Sequence, residues 1–427
     1  MLAKDWSERQ KTYDVAVVGS GYGGAITAAR ISGTPFKPRK SVCILERGRE
    51  WPVGQFPDQL LKVTEQVRNP ITNPTGLYEF IVFKDIAVMK GCGLGGTSLV
   101  NANVAIIPDE DVFTKLDWPR AINRSVLDPY YAVALKMLAS TPHPHATQLL
   151  KVEALERRAK EIGYQAFGLH INVNFDIDGP NPHGVPQKPC IDCGDCMTGC
   201  NVGAKNTLYM NYLPVARANG ADIFTETQVD WVEKLPDGGW RIHGRRHDRL
   251  FPEAFTLDAA CVILSGGSLG SPEILLRSEA HGLSLSPRAG TGFSGNGDFF
   301  GIAFNGEYRT NVLGFGNHPD SPWRPFAPGP TIVGAIRYNR NLPLGRRMTV
   351  EDLAFPSAYV SAAMVAFGAM GGEPTVVGHE SEEKARRAKD NPFEPYQPDN
   401  AMNHTMFYLV MAEDDAKGTM RLNTDFL

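Results

Sequence analysis

The run Asp14-Val-Ala-Val-Val-Gly19-Ser-Gly21-Tyr-Gly-Gly24 constrains this chain more than any other stretch. Asp14 to Val18 is a short, valine-rich apolar run and reads as a buried strand. Three glycines follow at the spacing G-x-G-x-x-G, and Ala25 to Ile31 has the small and apolar residues of a helix packed on a sheet. Gly19 suits a tight turn, Gly21 leaves room for a diphosphate to approach the backbone, and Gly24 allows helix and strand to pack closely. The unpaired N–H groups at the helix start favour an anion there. A second apolar strand, Ser41 to Leu45, ends at Glu46, where a ribose-binding carboxylate is expected. Strand, turn, helix, strand and acid in this order predict a parallel βαβ unit that binds a dinucleotide. An ordinary βαβ unit with a surface glutamate is the competing possibility.

At 427 residues the chain exceeds one compact core, so two or three domains are expected. A net charge of −4 and a pI near 6.2 argue against nucleic acid or an anionic membrane as partner. Met1 to Thr12 is polar and no run of 18 apolar residues occurs, so neither a signal segment nor a spanning helix is expected, and the location expected is cytoplasmic. The 43 glycines and 31 prolines imply many loops around an ordinary apolar core.

Along the chain, Gly48 to Ile81 is loop-like, and a strand pattern returns at Phe80 to Met89. It leads into Gly91-Cys-Gly-Leu-Gly95-Gly96-Thr-Ser-Leu-Val-Asn101-Ala-Asn103, a run suited to lying against something flat or anionic. A helix is expected over Pro129 to Ala139 with Asp128 as its cap, and a solvated amphipathic helix over Lys151 to Ile162. Lys205 to Asn219 reads as helical. Strands are expected at Ala221 to Glu226, Gln228 to Leu235, Trp240 to Arg246 and Ala259 to Leu264. The last leads into a second glycine- and serine-rich turn, Ser265 to Pro272, that opens a helix. Beyond it, Phe299 to Tyr308 and Thr331 to Tyr338 have strand patterns, separated by the Pro-rich loop Gly314 to Pro330, and His404 to Met411 and Thr419 to Leu422 read as a final strand pair. Ser357 to Met370 is an apolar helix, and Ser381 to Asp390 a charged one with Ser381 placed to cap it.

Four of the seven cysteines, Cys190, Cys193, Cys196 and Cys200, follow the spacing C-x2-C-x2-C-x3-C. Thiolates at this spacing on a glycine-bearing loop can converge on an iron–sulfur cubane. Asn201 stands where ferredoxin runs carry proline, and no second run exists. A zinc site and plain structural cysteines, reduced or disulfide-bonded, stay open.

Val18 to Gly24, Leu45-Glu-Arg-Gly48, Gly91 to Asn103, Gly203-Ala-Lys-Asn-Thr-Leu208 with Asn211-Tyr-Leu213, and Leu264 to Pro272 together resemble the glucose–methanol–choline (GMC) oxidoreductases, especially their bacterial cholesterol oxidase branch. The resemblance runs from about Asp14 to Leu422. It implies an α/β fold: a Rossmann-like FAD-binding domain interleaved with a substrate domain that contains an antiparallel β-sheet. The FAD domain would comprise 1–50, 80–110 and 200–298. Segments 51–79 and 111–199 would form an excursion or cap with the Cys-rich loop, and 299–427 the substrate domain. The resemblance gives Gly19, Gly21, Tyr22 and Gly24 to the FAD diphosphate, Glu46 to the adenosine ribose, and Gly96, Thr97, Asn101 and Ala102 to the flavin. It gives the backbone of Val229 to adenine. Ala102 and Asn103 stand where cholesterol oxidases have glycines.

The activity implied is FAD-dependent oxidation of a small-molecule alcohol at its CH–OH group, a sterol being one candidate. Oxygen, a quinone or a redox protein would be the electron acceptor. The family's catalytic His and Asn have no counterpart between Asn341 and Leu427, so a C-terminal segment is expected to be missing, with negligible turnover. The catalytic residues stay unknown, and His404, in a strand-like run, is expected to be structural. Alternatives are a dehydrogenase passing electrons through a 4Fe-4S cluster at Cys190 to Cys200, a non-catalytic FAD-binding fragment, and, less favoured, an NAD-dependent enzyme.

Overall fold

The structure, a computed structural model, describes residues 1–35, 39–115, 118–249, 251–316, 327–369 and 378–422. Its first sheet is built around β1, Thr12–Val18. β1 pairs in parallel with β2, Val42–Leu45, on one side and with the strand Glu253–Leu264 on the other. Asp222–Phe224 extends the parallel part beyond β2. Beyond Glu253–Leu264 the sheet turns antiparallel through Trp240–Arg246 and Thr227–Lys234. Parallel strands are covered on both faces, which is why β1 is a continuous apolar run rather than an alternating one. Val15 and Val17 pack with Ala25, Ala28 and Ala29 of helix α1, Tyr22–Gly33, and with Leu213 and Ala216. Ala16 and Val18 face the other way, toward Trp6, Phe224, Ile242, Leu257 and Ile274.

The second sheet is fully antiparallel, in the order Phe299–Ala303, Met406–Ala412, Met348–Leu353, Gly334–Tyr338, Ala166–Gly168. It therefore takes one short strand from the segment between the two glycine-rich turns. Its core joins Ile332, Ala335, Leu353, Met406 and Phe407 to Leu155, Ile171, Val312, Val360 and Met364. Together the two sheets give the expected α/β fold with an antiparallel second sheet.

Several local expectations are corrected. Phe80 to Met89 is a hairpin of Tyr78–Val82 and Ala87–Gly91, because Lys84 and Asp85 turn the chain between two apolar runs. The helix expected from Pro129 starts at Arg124: the Asn123 side chain accepts from the backbone of Val126 and caps it, leaving Pro129 inside. The segment from Lys205 is not one helix: a 3-10 turn, Leu208–Met210, precedes the short helix Tyr212–Ala218. Met348–Leu353, unexpected from sequence, is a central strand of the second sheet. The charged helix is Glu380–Arg387, with Ser381 inside it and no side-chain cap. Gly418–Thr419 pairs with Thr291–Phe293 rather than with Met406–Ala412. Much of the loop Gly314 to Pro330, together with Met370 and the C-terminal 423–427, lies outside the described residues.

Lys151 was expected on a solvated face, yet it is fully buried. Its Nζ meets Asp352 at 2.6 Å, which is also fully buried, and donates to the carbonyls of Pro330 at 2.6 Å and Thr331 at 3.0 Å. The other carboxylate oxygen of Asp352 accepts from the backbone of Val333 and Gly334. This pair pins the helix Leu150–Glu161 to the second sheet. The expectation holds for Arg157 and Arg158, which lie on the exposed face.

Candidate functional site

A cleft of about 630 Å³ opens at the C-terminal ends of β1 and β2. It is lined by Gly19 to Gly23, Glu46, Gly91, Gly96, Thr97, Val229 and the turn Ser265 to Gly270, so both glycine turns and the first part of the Gly91 to Asn103 run converge here, whereas Gly24, Asn101 and Ala102 lie outside the lining. Two helices begin at its wall, α1 after Gly21 and Gly267–Ala280 after Gly266. Their free N–H groups and dipoles both favour an anion.

The glycines are positioned by space as much as by conformation. Gly19 has φ +95°, and a Cβ there would meet the Ser265 carbonyl at 2.5 Å. A Cβ on Gly24 would meet the Gly19 carbonyl at 1.9 Å, so helix and turn could not close. Gly21 differs: nothing lies within 4 Å of a Cβ built there, so a side chain would enter the cleft itself. Gly96, at φ +57°, brings the second glycine run against the first, its Cβ position 2.8 Å from the Cα of Gly21.

Glu46 lies at the cleft wall but is nearly buried. One carboxylate oxygen accepts from the Ser20 backbone at 3.0 Å and the Ser20 hydroxyl at 2.6 Å; the other accepts from the Gly48 backbone at 2.8 Å. The Ser20 hydroxyl in turn accepts from the Gly95 backbone at 2.9 Å. Glu46 thus braces both glycine runs, and the oxygen facing Gly48 retains capacity for one further hydrogen bond. Asn101 donates to the Tyr22 hydroxyl at 3.0 Å, a second tie between the runs, and burial raises the Tyr22 phenol above its usual range. Ala102 is half-buried against the core of the second sheet, and Asn103, at φ +69°, buries an amide with no partner at either end. Thr97 and Val229 line the cleft, Val229 beside the irregular register at His243/Gly244.

Three features were missed in the sequence. Arg47, Arg68 and Lys90 line the cleft and share one carboxylate, Glu79, at 2.8 Å from Arg68 and 3.1 Å from Lys90, with Arg47 also in contact. Burial pushes the Glu79 carboxyl up, but the three cations together hold it below its ordinary value. With Glu46 also acting on Arg47, two carboxylates face the three cations, which leaves a net positive charge at the wall. Arg245 is bidentate to Asp230 at 2.8 Å, with Arg277 beside it. His247 lines the same end with both ring nitrogens buried and unpartnered, and burial, then Arg245, lowers its pKa. No motif could have signalled these groups, because their partners come from distant segments.

His404 ends a short turn, Met402–His404, outside the cleft lining, with Nδ1 3.3 Å from the Gly306 carbonyl. All seven cysteines are free thiols. Cys190, Cys193, Cys196 and Cys200 line one small enclosed cavity with Lys205. Among the described residues, no three His, Cys, Asp or Glu side chains are placed to share a single metal ion, so the zinc alternative gains no support. Nor is any helix among them long and apolar enough to cross a membrane.

Comparison with known proteins agrees with this architecture. A cholesterol oxidase of Mycobacterium tuberculosis (strain CDC 1551 / Oshkosh) is 30% identical over 296 residues, 65% of this chain and 50% of that protein. A cholesterol oxidase of Acinetobacter baumannii is 29% identical over 291 residues, 63% of this chain and 51% of that protein. The chain thus spans about half the length of the curated relatives it matches. The solved pyridoxine 4-oxidase from Mesorbium loti shares the fold, with a TM-score of 0.55 at 13% identity over 96% of this chain and 73% of that one. The sequence model of the GMC oxidoreductase family matches residues 74–287, half of the chain. The chain belongs to the GMC oxidoreductase family.

Proposed function

We propose that this chain binds FAD in the cleft and serves the oxidation of a small-molecule alcohol at its CH–OH group. The observation that carries this is the convergence of two helix starts, the Gly91 to Thr97 run and the surplus cations Arg47, Arg68 and Lys90 on one cleft. Each part fits a dinucleotide. The diphosphate would lie over Gly21, where the backbone is open, facing the N-termini of α1 and Gly267–Ala280. Glu46 has one acceptor position left for a ribose hydroxyl. The backbone of Val229 and the unpartnered ring of His247 suit an adenine end. Gly96, Thr97, Asn101 and Ala102 would border the flavin, with the Tyr22–Asn101 bond holding that border in place.

When bound, FAD supplies the hydride acceptor; the protein's part is position and electrostatics. The curated relatives are named cholesterol oxidases, which supports an alcohol substrate and makes a sterol the first to test. The electron acceptor we propose is oxygen, with a quinone or a redox protein as the alternative. Seven unpaired thiols suit a reducing compartment, and we place the protein in the cytoplasm on that ground. The domain assignment above is part of the same proposal. The test is the flavin content of the purified chain, followed by anaerobic reduction of the bound flavin with a sterol and with shorter alcohols. Bleaching of the flavin by an alcohol supports the proposal; a chain that takes up no FAD rejects it.

A further inference from the structure

We propose that Cys190, Cys193, Cys196 and Cys200 hold a four-iron iron–sulfur cluster in the cavity they line beside the cofactor cleft. All four thiols line one enclosed cavity, although they are spread along a loop of eleven residues. Cys190, Cys193 and Cys200 are part-buried and Cys196 is buried. No disulfide closes any pair of them.

The loop is fixed without a metal. A Cβ on Gly199 would strike the Phe56 ring at 2.1 Å, and one on Gly194 would meet the Cα of Gly314 at 2.9 Å. The Tyr78 hydroxyl donates to the Thr198 carbonyl at 2.6 Å. Asn201 exchanges hydrogen bonds with the backbone of Phe56 at 2.8 and 2.9 Å. Among the described residues no three side chains are placed to share one ion, although all four cysteines line the same cavity. That is what a cubane needs, because each thiolate binds a different iron.

The second observation is Lys205. It is almost completely buried and lines the same cavity. Its Nζ donates to three backbone carbonyls, Leu99 at 3.0 Å, Asn101 at 2.7 Å and Cys196 at 3.0 Å. Among the described residues no carboxylate forms an ion pair with it. A buried cation without a counter-ion is costly. A cluster carried by four thiolates is anionic and would supply the missing charge. Of the two acids within the run, Asp195 lines the cavity and accepts from the backbone and hydroxyl of Ser357. Asp192 meets His143 Nε2 at 3.1 Å and accepts from the Cys190 thiol at 3.7 Å, a contact that ligation of that sulfur would replace.

Lys205 also fixes where the cavity lies. Asn101, at the proposed flavin border, and Cys196 bond the same ammonium, so their carbonyls are no more than two hydrogen-bond lengths apart. Asn101 also donates to the hydroxyl of Tyr22, which lines the cleft, so cavity and cleft are linked through Lys205, Asn101 and Tyr22.

The test uses the full chain, purified anaerobically and reconstituted with ferrous iron and sulfide. About four irons and four acid-labile sulfides per chain are expected, with an electron paramagnetic resonance signal on reduction. Cys193→Ser should lose both iron and sulfide, whereas Cys261→Ser, at an exposed cysteine outside the loop, should keep them. If Cys193→Ser does not fold, the stoichiometry of the parent chain decides. Zinc alone, iron without sulfide, iron unaffected by Cys193→Ser, or no metal after reconstitution would each overturn the proposal. Flavin is measured on the same samples, so failure of the cluster and failure of FAD binding are read separately.

Discussion

Glu46 shows how one side chain can serve the fold and a ligand together. Its three internal hydrogen bonds hold the turn after β1 and the start of the Arg47 to Arg49 segment. Hydrogen bonds to charged groups are worth about 1.5–3 kcal/mol. Glu46→Ala should therefore lower the stability of the FAD-free chain, seen in denaturant unfolding, by at least that much, and weaken FAD as well. Weaker FAD binding with unchanged stability would leave Glu46 as a ribose ligand only. His247 belongs to the same scale. If its free ring nitrogens meet the adenine end, His247→Phe should cost about 0.5–1.5 kcal/mol of FAD affinity by titration calorimetry; an unchanged affinity would remove it from the site. The glycines were legible from sequence because their task is written in the backbone: Gly19 and Gly96 sit at positive φ, and Gly24 has no room for a methyl group. His247 and the Glu79 cluster were not, because a pairing across distant segments leaves no local pattern.

Among the elements, the strand Met348–Leu353 and the helix Leu150–Glu161 are joined by the Lys151–Asp352 pair. Removing one partner of a buried ion pair strands the other charge and typically costs about 3–5 kcal/mol. Lys151→Met should produce a loss of that size in denaturant unfolding, only partly recovered in the double variant Lys151→Met with Asp352→Leu, because the backbone N–H groups of Val333 and Gly334 then lose their acceptor. Sequence periodicity locates this helix but does not show that its first turn is the buried end, which is why Lys151 reads as solvated there. The same strand carries Glu351, buried with one carboxyl oxygen unpartnered. Burial, then the neighbouring Asp352 and Asp298, raises its pKa from 4.5 to about 8. A carboxyl raised on folding is stabilising in its protonated form, and that contribution is lost as pH rises from the ordinary value through the folded one. Glu351→Gln keeps a neutral side chain at every pH. Its melting temperature relative to the parent should therefore climb between about pH 4.5 and pH 8, and a difference independent of pH would contradict the assignment. The strand itself escaped sequence reading because Met348 to Leu353 mixes charged and apolar residues without clean alternation.

At the scale of the whole molecule, the cleft is assembled from segments far apart in the chain: the first βαβ unit, the Gly91 to Thr97 run, the antiparallel strands near Val229 and the turn at Ser265. The parallel βαβ unit and the presence of an antiparallel second sheet could be anticipated, since glycine turns and strand patterns announce themselves locally, but the strand order of neither sheet could. The contribution of Ala166–Gly168 to the second sheet could not, because three residues carry no periodicity. What unites the segments is an anion-binding geometry, and the most direct measurement of it is FAD binding by the purified chain and by its Gly21→Val variant, with circular dichroism as the control for folding. Because nothing stands within 4 Å of a Cβ at Gly21, the variant should fold as the parent does while its valine occupies the space of the diphosphate. The parent is expected to retain flavin through gel filtration and the variant to retain none. Equal flavin content in two folded proteins would contradict the assignment of this cleft.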